Sequence, residues 1–146
     1  MTELGLTLDE TITLASIAQR EADTTANMGN VASVFFNRMA DAESFPHLES
    51  DVTVHYVDEH IKPHLSTSQY DQKMFDAYNT YKCDGIPVGP ICNPGLDAIK
   101  AVLYAPETSY YYFCADPETT DMYFAETIAE HEENLRKCGL DHAIAD

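Results

Sequence analysis

Basic residues are scarce in this chain of 146: eight lysines and arginines stand against 25 acids, for a formal charge of −17. A surface of that sign repels nucleic acid and anionic lipid, which excludes both as partners, and it keeps the domain dissolved. Long apolar runs are missing as well. No stretch approaches the roughly 20 residues of a membrane-spanning helix, and no signal peptide opens the chain. Met1 is followed almost at once by a helical pattern, which predicts an excised domain whose anchor and flanking modules lie outside it. The four cysteines, Cys83, Cys92, Cys114 and Cys138, show neither a CxxC pair nor a zinc spacing. They read as free buried thiols, with a Cys83–Cys92 loop bridge as the alternative. Motifs of the GxSxG, HExxH, P-loop and dinucleotide types are absent. His60 and His64 stand at i and i+4, but Pro63 spoils their helical presentation and His55 adds only a loose loop cluster. Neither metal nor cofactor is expected, and nothing near Cys92 predicts a stabilised thiolate.

An apolar content of 45% over this length supports one globular domain. Thr7 and Glu10 form a capping box that starts a helix running to about Ala22. A second helix covers Asn27 to Met39, with Val31, Val34, Phe35 and Met39 as its buried stripe. Asn37 and Arg38 face solvent, or one of them reaches back toward Glu21. Ser50 or Asp51 caps a short helix, although Val52, Thr53 and Val54 would also suit a strand. Residues 62–73 read as a polar surface excursion. The densest turn chemistry follows, from Ala77 to Tyr81 and from Gly85 to Gly95, where prolines and glycines stiffen what reads as a binding wall. Pro94 suits the first turn of a helix over Leu96 to Tyr104. Tyr110 to Ala115 and Met122 to Ala125 form a β-hairpin about a turn at Asp116-Pro117. Thr127 and Glu130 cap a last helix that ends before Gly139. The predicted fold is a helix-rich α+β domain with one small antiparallel hairpin.

Glu21 is the residue that invites a chemical reading. Leu14, Ile17 and Ala18 mark one face of the first helix, and Glu21 takes the next place on that stripe. A carboxylate on a core-facing stripe is costly unless paired or used. Read alone, it fits a buried ion pair or a cap better than a catalyst. If it is used, desolvation raises its pKa and keeps it protonated, as glycosidic cleavage requires. Asp51, Glu49 and Glu130 are candidate second acids, with Asp51 equally a helix cap. Tyr and Asn in the stiff loop suit a sugar polymer. His131 beside Glu130 reads as a hydrogen-bonded partner rather than a ligand.

Seven segments together resemble the endolytic murein transglycosylases, the MltG or YceG-like family. They are Leu14-Ala15-Ser16-Ile17 through Glu21; Val31 to Phe35 with Asn37-Arg38; Ser50-Asp51 with Thr53-Val54 and Tyr56; Tyr78 to Tyr81; Gly85 to Pro87 with Gly89 to Ile91 and Asn93 to Gly95; Tyr112-Phe113 with Ala115-Asp116; and Phe124 with Thr127 and Glu130-His131. Each is weak alone; their order and spacing are specific from about Leu14 to Asn134. The resemblance implies a single catalytic domain over residues 1–146, lacking the family's N-terminal transmembrane helix and LysM-like module. It also implies a lysozyme-like active-site arrangement and endolytic, non-hydrolytic cleavage between N-acetylmuramic acid and N-acetylglucosamine, leaving a 1,6-anhydro end. Glu21 maps onto the catalytic glutamate, acting first as acid and then as base. Substrate contacts are expected from Ser50, Asp51, Tyr56, Tyr78, Asn79, Tyr81, Pro87, Asn93, Glu130 and His131. Peptidoglycan strands and cell-wall synthases are the implied partners, at the outer face of the bacterial cytoplasmic membrane. An inactive glycan-binding module and a muramidase-type hydrolase on the same fold are the alternatives. The chain departs from the family pattern at Gln19, Val52, Val88 and Met122, and residues 60–69 suggest a divergent groove. Neither a pyridoxal-phosphate lysine nor a phosphate cup is visible, which argues against an aminodeoxychorismate lyase.

Overall fold

A computed structural model describes residues 5–141. Six α-helices and one hairpin follow in the order α1 (Leu8–Glu21), α2 (Thr25–Ala40), α3 (Asp51–Tyr56), α4 (Gln72–Tyr78), α5 (Leu96–Leu103), β1 (Tyr112–Ala115), β2 (Met122–Ala125) and α6 (Ile128–Lys137). This is the α+β, helix-rich architecture expected.

Helix α1 is the centre of the molecule. Its capping box forms as read: the Thr7 hydroxyl accepts from the Glu10 N–H at 3.1 Å, and the Glu10 carboxylate accepts from the Thr7 N–H at 2.8 Å. The buried surface is wider than an apolar stripe, because Thr11, Thr13 and Ser16 go inside with Leu14, Ala15, Ile17 and Ala18. Helices α2 and α5 pack on α1 and on each other. Gly29 of α2 lies against the end of this packing, where a Cβ would meet the Pro106 ring just beyond α5 at 3.3 Å and the Ala101 carbonyl at 4.0 Å. Leu14, Ile17, Val31, Phe35, Leu48 and Val102 are fully buried in this core. Each such side chain contributes about 1.5–3 kcal/mol relative to exposure.

The hairpin pairs Tyr112 with Ala125, Phe113 with Phe124, Cys114 with Tyr123 and Ala115 with Met122. Its turn closes through the Thr120 N–H to Asp116 carbonyl bond at 2.8 Å. Phe113 sets its ring edge-on to Phe35, 5.9 Å between centroids, and so docks the hairpin on α2.

Three expectations need correction. Asn37 and Arg38 neither face solvent nor reach Glu21. The Asn37 amide donates to the carbonyls of Thr108 (2.9 Å) and Tyr110 (2.8 Å). Arg38, only 6% exposed, donates to the carbonyls of Tyr111 (2.7 Å) and His47 (3.1 Å). Residues 62–73 do lie at the surface, but the loop reading of Tyr78 does not hold. A π-helical turn over Val57–Ile61 extends α3, short 3-10 turns follow, and α4 begins after Asp71 caps the Lys73 N–H at 3.0 Å. Tyr78 therefore closes a helix instead of lying in a loop. Finally, Cys83 and Cys92 are half-buried and attached to different elements, whereas Cys114 and Cys138 are buried together.

Candidate active site

Glu21 is the last residue of α1, where the helix meets the loop leading into α3. The Ser50 hydroxyl donates a short hydrogen bond to its Oε1. Among the described residues no cation pairs with Glu21, and no group bonds its Oε2. A structural ion pair would look different. Burial pushes the Glu21 pKa up from the 4.5 of a free glutamate. The Ser50 bond pulls it back, the Asp51 charge pushes it up again, and His55 offsets part of that. The result is a carboxyl group with a raised pKa, held at one oxygen by a neutral donor, its other oxygen without a bond among the described residues.

Ser50 occupies the N-cap position of α3, yet its side chain caps nothing there. The hydroxyl that would have capped α3 is spent on Glu21. Substituting a capping Ser by Ala typically costs about 1 kcal/mol, so the diversion has a local cost that the surrounding network offsets. The Ser50 N–H donates to the Thr80 hydroxyl at 2.8 Å. The Thr53 and Thr80 hydroxyls lie 3.0 Å apart beside the Ser50 carbonyl. All three residues are buried, and such satisfied polar networks fix a unique geometry. From the other side Arg38 grips the preceding residues. Its guanidinium bonds the His47 carbonyl, lies 3.5 Å from the Glu49 carboxylate, and sits 5.2 Å and 5.3 Å from the ring centres of Phe45 and Tyr112. Glu49 itself adopts φ +56°, a strained left-handed turn that this double anchorage maintains.

Beside Ser50, the Tyr81 hydroxyl donates a short bond to Asp51. Tyr56 and Tyr78 pack with ring centres 5.4 Å apart. A cleft of about 170 Å³ runs along α3, lined by Arg20, Val52, His55, Tyr56, Glu59 and Ile91. The proline-rich wall is bolted to α1. Ile91 donates its N–H to the Ser16 hydroxyl at 3.0 Å, and Gly95 donates to the Gln19 side chain at 2.6 Å. Gln19 thus serves as the acceptor that seats this wall.

Residues 1–137 match the family model described as "YceG-like family". The chain belongs to the YceG-like family. An endolytic murein transglycosylase of Bacillus subtilis (strain 168) is 35% identical over 127 residues, covering 86% of this chain and 33% of the relative. One from Streptococcus pneumoniae serotype 2 is 29% identical over 134 residues, covering 90% and 24%. The chain therefore spans a quarter to a third of the length of these relatives. The crystal structure of a yceG-like protein from Listeria monocytogenes superposes with a TM-score of 0.74 at 33% identity, covering 91% of this chain and 42% of that one.

Within this YceG-like domain the expected site residues divide into two groups. Ser50, Asp51 and Tyr81 are gathered at Glu21 by the bonds just described, and Tyr56, packed against Tyr78, lines the cleft along α3. The others do neither. Pro87 is buried in the wall and has no face for a ligand. Asn79, half-buried, shapes the loop through its Oδ1, which accepts the Tyr81 N–H at 2.9 Å. Asn93 is exposed on the wall, without a side-chain hydrogen bond among the described residues. Glu130 folds back to accept the Glu126 N–H at 3.0 Å. His131 stacks on Tyr112 with centres 5.2 Å apart, in the Arg38 cluster, and its buried Nδ1 has no partner among the described residues. It is not the hydrogen-bonded partner anticipated. Conversely, Thr53, Thr80, Ser16 and Gln19 escaped the sequence reading as site supports. For Thr53, Thr80 and Ser16 a local signal was available: small polar side chains at positions that are buried.

Proposed function

We propose that this YceG-like domain is the catalytic part of an endolytic peptidoglycan lytic transglycosylase, with Glu21 as its single acid and base. The observation that carries the reading is the setting of Glu21: a buried carboxyl group whose pKa is pushed up, held by a neutral hydroxyl and unpaired with any cation among the described residues. The relatives named as endolytic murein transglycosylases supply the substrate class. Glu21 donates its proton to the oxygen linking N-acetylmuramic acid to N-acetylglucosamine, and the bond to the muramyl anomeric carbon breaks. The resulting carboxylate takes the proton of the muramyl C6 hydroxyl as that oxygen closes on the anomeric carbon. No water is consumed, and Glu21 ends protonated again. The negative charge of Asp51 helps to keep Glu21 protonated in the first step and offsets oxocarbenium charge in the transition state. The domain works on the cell-wall side of the cytoplasmic membrane, held there by a segment outside this chain and beside cell-wall synthases. Among the described residues no helix is long and apolar enough to cross a membrane.

The proximity of Asp51 also favours a second reading. Two carboxyl groups flanking a sugar bond can perform hydrolysis, with Asp51 as nucleophile or base. Digestion of purified glycan strands in ¹⁸O water separates the two. The transglycosylase yields 1,6-anhydro ends without solvent oxygen, and Glu21→Gln lowers the rate by about 10²–10⁴-fold, the usual worth of a positioned general acid. Reducing ends carrying ¹⁸O favour the hydrolase. Undiminished cleavage by the Gln variant would sink both.

A further inference from the structure

We propose that Cys114 and Cys138 are a disulfide site that staples the hairpin to the last helix when the domain matures in an oxidising compartment. The cysteines lie on separate elements, 24 residues apart in sequence, with their sulfurs 4.0 Å from each other. Both are buried, at 9% and 7% exposure. In the pair that sequence spacing favours, the Cys92 thiol donates instead to the Ser16 carbonyl on α1 at 3.4 Å.

Helix α6 has a physical need for such a staple. Of its ten residues only Leu135 is buried, and the helix otherwise carries Glu130, Glu132, Glu133, Arg136 and Lys137. Its packing under the hairpin is a satellite cluster of Leu135 and the two cysteines, flanked by Tyr123 and Leu140 and separate from the main core. A helix attached by so little apolar surface opens more readily than the rest of the fold. A covalent link at this point removes that freedom from the unfolded ensemble.

The bond forms by exchange with a disulfide oxidant, either a small-molecule disulfide or that of an oxidoreductase. One thiolate attacks the oxidant and expels one of its sulfurs as a thiol, leaving a mixed disulfide. The second protein thiolate attacks the protein sulfur of that mixed disulfide and expels the oxidant's other sulfur. Two protein thiols lose two electrons and two protons to the oxidant. Burial pushes the Cys114 thiol up to about 12, so exchange is slow once the helix has docked. The bond is made while α6 is undocked, and the same burial then shields it from reductants. The oxidising setting rests on the cell-wall reading; the pairing does not.

The test is to refold the chain in oxidised and reduced glutathione and titrate its thiols. Two of the four cysteines are expected to disappear, and a digest without reductant is expected to yield a Cys114–Cys138 linked peptide. The oxidised protein should melt about 10 °C above the reduced one, a difference that Cys114→Ser/Cys138→Ser abolishes and Cys83→Ala/Cys92→Ala preserves. Four thiols still titrating after oxidative refolding overturns the proposal, as does a linked peptide carrying Cys83 or Cys92. Both readouts use the unaltered chain, so a variant that fails to fold does not obscure the outcome. Neither depends on the chemistry at Glu21.

Discussion

Replacing Glu21 by Gln should make this protein more stable at neutral pH and leave its stability unchanged in acid. The change is isosteric. The Gln Oε1 still accepts the Ser50 hydroxyl, and the Gln amide stands where Oε2 stood, facing the Asp51 charge with donors instead of an anion. What disappears is the burden of a desolvated carboxylate beside another carboxylate; the weaker attraction of His55 goes with it. The sign follows from the raised pKa. Below the unfolded value near 4.5, Glu21 is protonated whether the chain is folded or not, so Glu and Gln are equivalent. As pH rises through the higher folded value, ionisation favours the unfolded chain, and wild-type stability falls relative to the variant. Relief of a strained functional group typically returns about 0.5–2 kcal/mol, or roughly 2–8 °C in melting temperature for a domain of this size. Urea titrations of both proteins at pH 4 and pH 7.5 measure the difference directly. The pervasive acidic surface, which destabilises both proteins alike as pH rises, cancels in the comparison. A Gln variant less stable than wild type at pH 7.5, or an advantage equal at both pH values, would refute the reasoning and return Glu21 to the role of a structural acid.

Three further outcomes follow from the supports around it. Ser50→Ala removes the bond that pulls the Glu21 pKa down, so the alkaline limb of the kcat/KM profile should move to higher pH while the maximal rate falls roughly 10- to 100-fold through lost positioning; Ser50→Thr should restore both. Thr80→Val leaves the Ser50 N–H without its acceptor and should cost about 1–3 kcal/mol of stability, read by urea unfolding, with kcat lowered more than KM is raised. Arg38→Gln strips bonds from the Tyr111 and His47 carbonyls and should destabilise the fold by about 2–4 kcal/mol, discounted for the half-exposed Glu49 partner, without moving the pH limb set by Glu21.

The local grammar of this fold was legible and its long-range bonds were not. Thr7 with Glu10, Thr127 with Glu130, Pro94 before α5 and Gly139 after α6 act over a few residues, and each marks the element boundary it predicts. Helix α4 failed the same reading because only Phe75 of its seven residues is buried, which leaves no period to detect. Glu130 and His131 failed for the opposite reason. Only half of the capping box at Thr127 and Glu130 forms, because the Glu130 carboxylate accepts the Glu126 N–H; these residues serve α6 itself, and the family pattern alone drew them toward Glu21. Arg38 was misplaced because a basic residue at a helix C-terminus reads as a surface complement to the dipole. Here the carbonyls of two loop residues, 9 and 73 positions away, take it inside.

Ser50 shows why a site can be hidden in plain motifs. By sequence it is the N-cap of α3, and by position it is exactly that, but its hydroxyl crosses 29 residues to Glu21 instead of closing its own helix. Local propensity and tertiary use conflict at this one serine. Such conflicts are expected where function, not stability, selects the arrangement. The buried threonines 53 and 80 resolve it by holding the Ser50 backbone from the side that an ordinary cap would leave to its hydroxyl. Glu21 therefore owes two properties to contacts that no local pattern encodes: its raised pKa to burial at the end of α1, and its fixed orientation to a neutral donor kept away from its own helix.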